Sequence, residues 1–169
     1  TTPGMHRYMP NAGYPETRSA VASQLSVETG LDFTSNEIVM TCGAGGALNV
    51  VMKAILDPGD EVVIFAPYFV EYMFYADNHG ATCRVVPPDL DFYPNFDAFE
   101  SSIGPRTRIV LTSSPGNPTG VLYSADVLAR LGEAMRRKEG EYGTEIPLVS
   151  DEPYRKILFD GAKYPHVFR

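Results

Sequence analysis

Two short segments carry the groups best suited to chemistry: Ser113-Ser114-Pro115-Gly116-Asn117-Pro118-Thr119-Gly120 and Ser150-Asp151-Glu152-Pro153-Tyr154-Arg155. Each follows an apolar run that reads as a buried strand. Both loops therefore fall at strand ends, where open α/β sheets bind ligands. Together they offer the Asn117 carboxamide, the Asp151 carboxylate and the Tyr154 phenol. Such a set could hold a pyridine ring that bears a phenolic oxygen. The carboxylate would pair with a protonated ring nitrogen and keep the ring an electron sink. The carboxamide and the phenol would donate to the ring oxygen.

Each residue also has a plainer reading. A carboxylate at the end of a buried strand is costly unless paired, but Asp151 could instead cap a short helix over 152–158. Tyr154 lies three residues on, one helical turn away, so it can point the same way as Asp151; alone it reads as an amphipathic core tyrosine. Asn117 sits between Gly116 and Pro118, where it could simply form a turn.

A third segment, Cys42-Gly43-Ala44-Gly45-Gly46-Ala47-Leu48, joins an apparent strand to a helix. Glycines let the backbone approach an anion, and a helix N-terminus presents unsatisfied N–H groups with a partial positive charge. Tight-turn geometry explains the same residues. The turn lacks the lysine of a nucleotide P-loop and is not GxGxxG, so it points to a phosphate but not to a dinucleotide.

These segments need a scaffold, and periodicity supplies one. A helix is expected over 15–29, with Pro15 in its first turn, Val21 and Leu25 at helical spacing, and Gly30 ending it. The β-branched run 37–41 reads as a strand. A helix carrying Leu48, Val51, Met52 and Ile55 follows, stopped by Asp57-Pro58-Gly59-Asp60. Further strands are expected at 61–65, 82–86, 108–112 and 146–150. The intervening helices fall at about 68–78, 96–102 and from a Ser124 cap to about 139. Strand–helix alternation implies a doubly wound α/β fold, a mostly parallel sheet with helices on both faces. We expect a single domain over 1–169, with no linker to a second.

Composition narrows the function. The chain has 169 residues, 44% hydrophobic and 21% charged, so neither disorder nor a fibrous repeat is expected. A formal charge of −7 argues against general nucleic-acid affinity. The basic cluster Arg136-Arg137-Lys138 reads as a solvated helix face. Cys42 and Cys83 are too few for a disulfide framework and are expected as buried free thiols in a reducing cytosol. No apolar run approaches the roughly 20 residues of a membrane span, and no signal peptide is visible. The expected location is cytoplasmic, with no metal, nucleic acid or membrane as partner.

Taken in order, the segments resemble the class I/II aminotransferases, fold type I enzymes that use pyridoxal 5′-phosphate (PLP). The resemblance runs from Tyr8 to beyond Tyr154 through His6–Gly13, Pro15–Arg18, Thr41–Leu48, Leu56–Val62, Ala66–Phe69, Ser114–Gly120 and Ser150–Tyr154. It implies the large domain of a PLP-dependent transferase, in part. By resemblance, Ala44, Gly45 and Gly46 form the phosphate turn, and Phe69 stacks on the pyridine ring. Asn117 and Tyr154 are O3′ ligands, and Asp151 is the pyridinium partner. Tyr8 matches a tyrosine that reaches the phosphate of the neighbouring subunit, which implies a homodimer. Relatives often carry Ser/Thr and a polar residue where this chain has Gly45 and Gly46, so phosphate binding would rest on backbone N–H groups.

The resemblance further implies amino-group transfer between an amino acid and a 2-oxo acid in a longer parent, as part of amino-acid biosynthesis. The family's Schiff-base lysine lies in a Ser-x-x-Lys-like stretch that Lys53, Lys138, Lys156 and Lys163 do not resemble. The chain alone is therefore expected to be inactive. Two other readings share these loops: another PLP reaction such as a carbon–sulfur β-lyase, and a non-catalytic aminotransferase-like sensor domain of a transcription regulator.

Overall fold

The computed structural model describes residues 4 and 6–168. The chain divides into two compact units, one holding the segment up to Ala47 together with Phe168, the other running Leu48–Val167.

In the first unit, helix α1 (Pro15–Thr29) has Pro15 in its first turn and ends at Gly30, which adopts the left-handed conformation. Its buried residues are Ala22, one of the alanines expected at helical spacing, and Thr29, whereas Val21 is exposed, contrary to expectation. Polar contacts hold the helix instead. The Arg18 guanidinium donates to the Ile38 carbonyl at 2.7 Å and also to that of Ser35. The run at 37–41 is not a strand. Its β-branched residues take extended dihedrals at Ile38, but among the described residues no ladder forms. Besides local turn bonds, the run makes a backbone bond to a distant segment from Met40 N–H to Ala12 O at 2.9 Å. A strand needs a partner as well as a propensity. Helix α2 (Gly43–Ile55) starts in this unit.

The second unit is a parallel sheet. Strands β1 (Glu61–Phe65), β2 (Thr82–Val86), β3 (Thr107–Ser113) and β4 (Leu148–Asp151) stand in the order β2-β1-β3-β4. Helices α3 (Glu71–Asp77), α4 (Phe96–Ser102) and α5 (Ala125–Tyr142) connect them. Asn95 and Ser124 cap α4 and α5 with side-chain bonds to Ala98 N and Val127 N. The α3 helix is shorter than the expected 68–78, because Tyr68 and Phe69 precede it in a loop and the chain turns helical only near Val70.

Two-residue alternation splits the strands between two cores. Val63, Phe65 and Val110 pack with Phe99 of α4 and Leu131, Ala134 and Met135 of α5. Val62, Ile64, Ile109 and Leu111 pack with Leu48 and Met52 of α2 and Tyr72 and Ala76 of α3. The expected doubly wound architecture, with helices on both faces, is what the chain adopts. Cys83 is half-buried, but Cys42 is exposed, because the run before α2 lies outside the sheet. At the opposite end of the strands, Glu61 is 3% exposed and is bracketed by Arg106 Nη2 at 2.7 Å and Arg84 Nε at 3.2 Å.

Candidate functional site

The strand order decides where a ligand can lie. From β1 the chain runs outward to β2, then crosses back to β3 on the other side of β1. The carboxyl ends of β1 and β3 therefore diverge into loops on opposite sides, which opens a crevice. The loop after β1 carries Ala66, Pro67, Tyr68 and Phe69, and the loop after β3 carries Ser114–Gly120. A narrow recess lies there, bordered by Phe65, Tyr68, Tyr72, Ser113 and Asn117.

Register and parity place Asp151. Ser113 and Asp151 are paired at the ends of β3 and β4. Each lies two residues beyond a side chain, Leu111 or Val149, that packs on the α2/α3 face. Asp151 therefore points toward α3. There the Tyr72 hydroxyl donates to its Oδ2 at 2.5 Å in a buried contact. Asp151 is in a strand and caps nothing; the segment after it makes turns rather than the helix 152–158. The helix-capping alternative is thereby overturned.

Burial pushes the Asp151 carboxyl above the usual aspartate range; the Tyr72 hydrogen bond opposes that shift, and the negative Glu152 adds to it. Tyr72 is itself raised, first by burial and then by its bond to Asp151. Ser113 Oγ is buried on the same face and acts on the Tyr72 hydroxyl, opposing the rise. Among the described residues no cation contributes to holding Asp151 ionised. A buried acid with no cation beside it among the described residues fits a ligand that brings a protonated nitrogen.

Asn117 is held by a tight loop. Gly116 N–H bonds to Val121 O at 3.1 Å, and Gly120 N–H returns to Gly116 O at 2.6 Å. A Cβ on Gly116 would lie 2.9 Å from Thr119 Oγ1 and 3.1 Å from the Ser113 carbonyl, so only glycine fits without a shift. Beneath the loop, Ser114 Oγ accepts from Tyr123 N–H at 2.8 Å. Asn117 and Tyr154 both line a pocket of about 510 Å³ between this loop and the turns after β4. Tyr154 thus shares this pocket with Asn117, and it does so from a turn and not from a helix.

Phe69 is partly buried and meets Tyr72 edge-on, with ring centroids 5.7 Å apart and planes at 82°. Ala44, Gly45 and Gly46 lie in the first turn of α2. They and Tyr8 belong to the first unit. Tyr8 is fully exposed. Tyr72 was not visible as a site residue in the sequence; the signal available was its place on α3, three residues after Phe69.

The parallel sheet carries Asp151 at one strand end and Asn117 and Tyr154 in the loops beyond two of them, and comparison with known proteins shows the family. The sequence matches the aminotransferase class I and II family over residues 1–168, and the chain belongs to that family, whose cofactor is PLP. It is 40% identical over 163 residues to a probable aspartate/prephenate aminotransferase of Thermus aquaticus, covering 95% of this chain and 41% of that protein. With the aspartate/prephenate aminotransferase of Thermus thermophilus the identity is 38% over the same shares. Its fold superposes on an amino transferase from Eubacterium rectale with a TM-score of 0.93 at 38% identity, covering 96% of this chain and 41% of that one. The chain thus spans about 41% of the length of these relatives.

Proposed function

We propose that the protein containing this chain is a PLP-dependent aminotransferase that moves an amino group between an amino acid and a 2-oxo acid. The observation that carries the reading is the buried Asp151 at the end of β4, fixed by Tyr72 of α3 with no cation beside it among the described residues. Asp151 would hold a proton on the ring nitrogen. The Asn117 amide and Tyr154 phenol would donate to the ring's phenolic oxygen, and Phe69 would cover one ring face. The first-turn N–H groups at Ala44, Gly45 and Gly46 would receive the phosphate. Bound in this way, PLP supplies an electron-accepting ring that stabilises negative charge at the substrate's α-carbon.

The names of the relatives at 40% and 38% identity support aspartate as a substrate, and we assign the protein a biosynthetic role. Tyr8, fully exposed, is available to reach a second subunit in a homodimer. Among the described residues no helix is long and apolar enough to cross a membrane; we place the protein in the cytoplasm. The lysine nucleophile would come from outside these residues, so the chain by itself would cradle the ring without turning over substrate.

The test is amino transfer by the full-length protein loaded with PLP, using aspartate and a 2-oxo acid. Formation of the new amino acid at a PLP-dependent rate is expected. Tight PLP binding without transfer would favour a lyase or a sensor, and absence of PLP binding would end the reading.

A further inference from the structure

Tyr72 carries no motif, yet it touches both groups that would face a bound ring. Its side chain is almost wholly buried. Its hydroxyl donates to Asp151 Oδ2, and its ring stands edge-on to Phe69. Its backbone N–H bonds to the Phe69 carbonyl at 3.1 Å, so the two residues move as one piece of the turn into α3. Edge-to-face rings of this kind attract beyond their buried area.

We propose that Tyr72 is the positioning residue of the ring site: its hydroxyl ties down Asp151 Oδ2 and leaves Oδ1 to meet the ring nitrogen, while its ring edge sets the plane of Phe69. The inference rests on the reading of the site as a PLP cradle and goes beyond it. The donated hydrogen bond stabilises the Asp151 anion and makes it less basic. A less basic carboxylate leaves the proton on the ring nitrogen. Among the described residues Tyr72 is the side-chain donor that bonds Asp151. Loss of the Tyr72 hydroxyl should therefore draw the proton toward the carboxylate.

The experiment uses the full-length protein loaded with PLP labelled with ¹⁵N in the ring, comparing wild type, Tyr72→Phe and Tyr72→Leu. The readouts are the ring-nitrogen chemical shift and the PLP dissociation constant. Wild type should show a protonated nitrogen. Tyr72→Phe should move the resonance toward that of neutral pyridine and weaken PLP binding by about tenfold, the scale of a hydrogen bond to a charged group. Tyr72→Leu should weaken binding by roughly a further threefold as Phe69 loses its edge contact. A merely structural tyrosine would lower the melting temperature and leave the ring-nitrogen shift in place. If Tyr72→Phe does not fold, 3-fluorotyrosine at this position keeps the ring and strengthens the donor, and the resonance should stay at or move toward the protonated value. An unchanged shift and affinity in Tyr72→Phe, or movement toward neutral pyridine with fluorotyrosine, overturns the inference while leaving the cofactor reading intact. Failure of wild type to bind PLP overturns both.

Discussion

Asp151 accepts a hydrogen bond from Tyr72 across 79 positions of sequence, at 2.5 Å and shielded from solvent. The contact joins the end of the edge strand β4 to the helix that follows the central strand β1. It turns a costly buried acid into an oriented one. Because burial dominates the balance, the acid still titrates above its ordinary range.

That shift gives a signed prediction for stability. The folded carboxyl holds its proton more tightly than the unfolded one, so its contribution is fully present below the ordinary aspartate pKa. It is lost as pH rises through the raised folded value. Urea denaturation of wild type and Asp151→Asn from about pH 3 to pH 7 should show wild type losing ground to the variant as pH rises. A stability difference that stays flat over this range would contradict the assignment.

Gly116 is the tightest point of the loop that carries Asn117. A methyl group there would crowd Thr119 Oγ1 and the Ser113 carbonyl. Gly116→Ala should cost about 1–3 kcal/mol, the usual scale for overpacking. It should also weaken PLP binding by displacing Asn117. Calorimetry and cofactor titration read the two effects separately, and a neutral variant would show that the loop has room.

Glu61 anchors the opposite strand ends between Arg84 and Arg106. The carboxylate is buried, but both arginines are more than half exposed, so screening cuts the Coulombic gain. Glu61→Gln should lower stability by about 1–2 kcal/mol, with the loss shrinking in high salt. A salt-independent loss would mean that packing, and not charge, holds this edge.

The two thiols should differ sharply. Cys42 is exposed, whereas burial pushes the Cys83 thiol up to about 11. Near pH 8 a thiol-reactive dye should label Cys42 within minutes and Cys83 only slowly, since the thiolate is the nucleophile. Unfolding in urea should make both react. Equal rates in the native protein would place Cys83 in solvent.

Much of this protein was readable from the chain alone. Turn chemistry at Asp57–Asp60, caps at Asn95 and Ser124, and apolar runs at the four strands are local signals, and each element formed about where they lie. Asn117, Asp151 and Tyr154 stood out because polar groups suited to holding a ring fell in loops at strand ends. What local signals could not carry was pairing. The run at 37–41 has strand propensity but no ladder among the described residues, and the segment after Asp151 has helical spacing but makes turns. Asp151 read equally well as a helix cap until the parity of β4 aimed it at α3. Tyr72 was silent in sequence, since nothing nearby announces a partner 79 residues away. Sequence determined which chemical groups exist and which strand ends bear them. Only the tertiary structure decided which side chains meet, because strand order and sheet face are set by long-range packing.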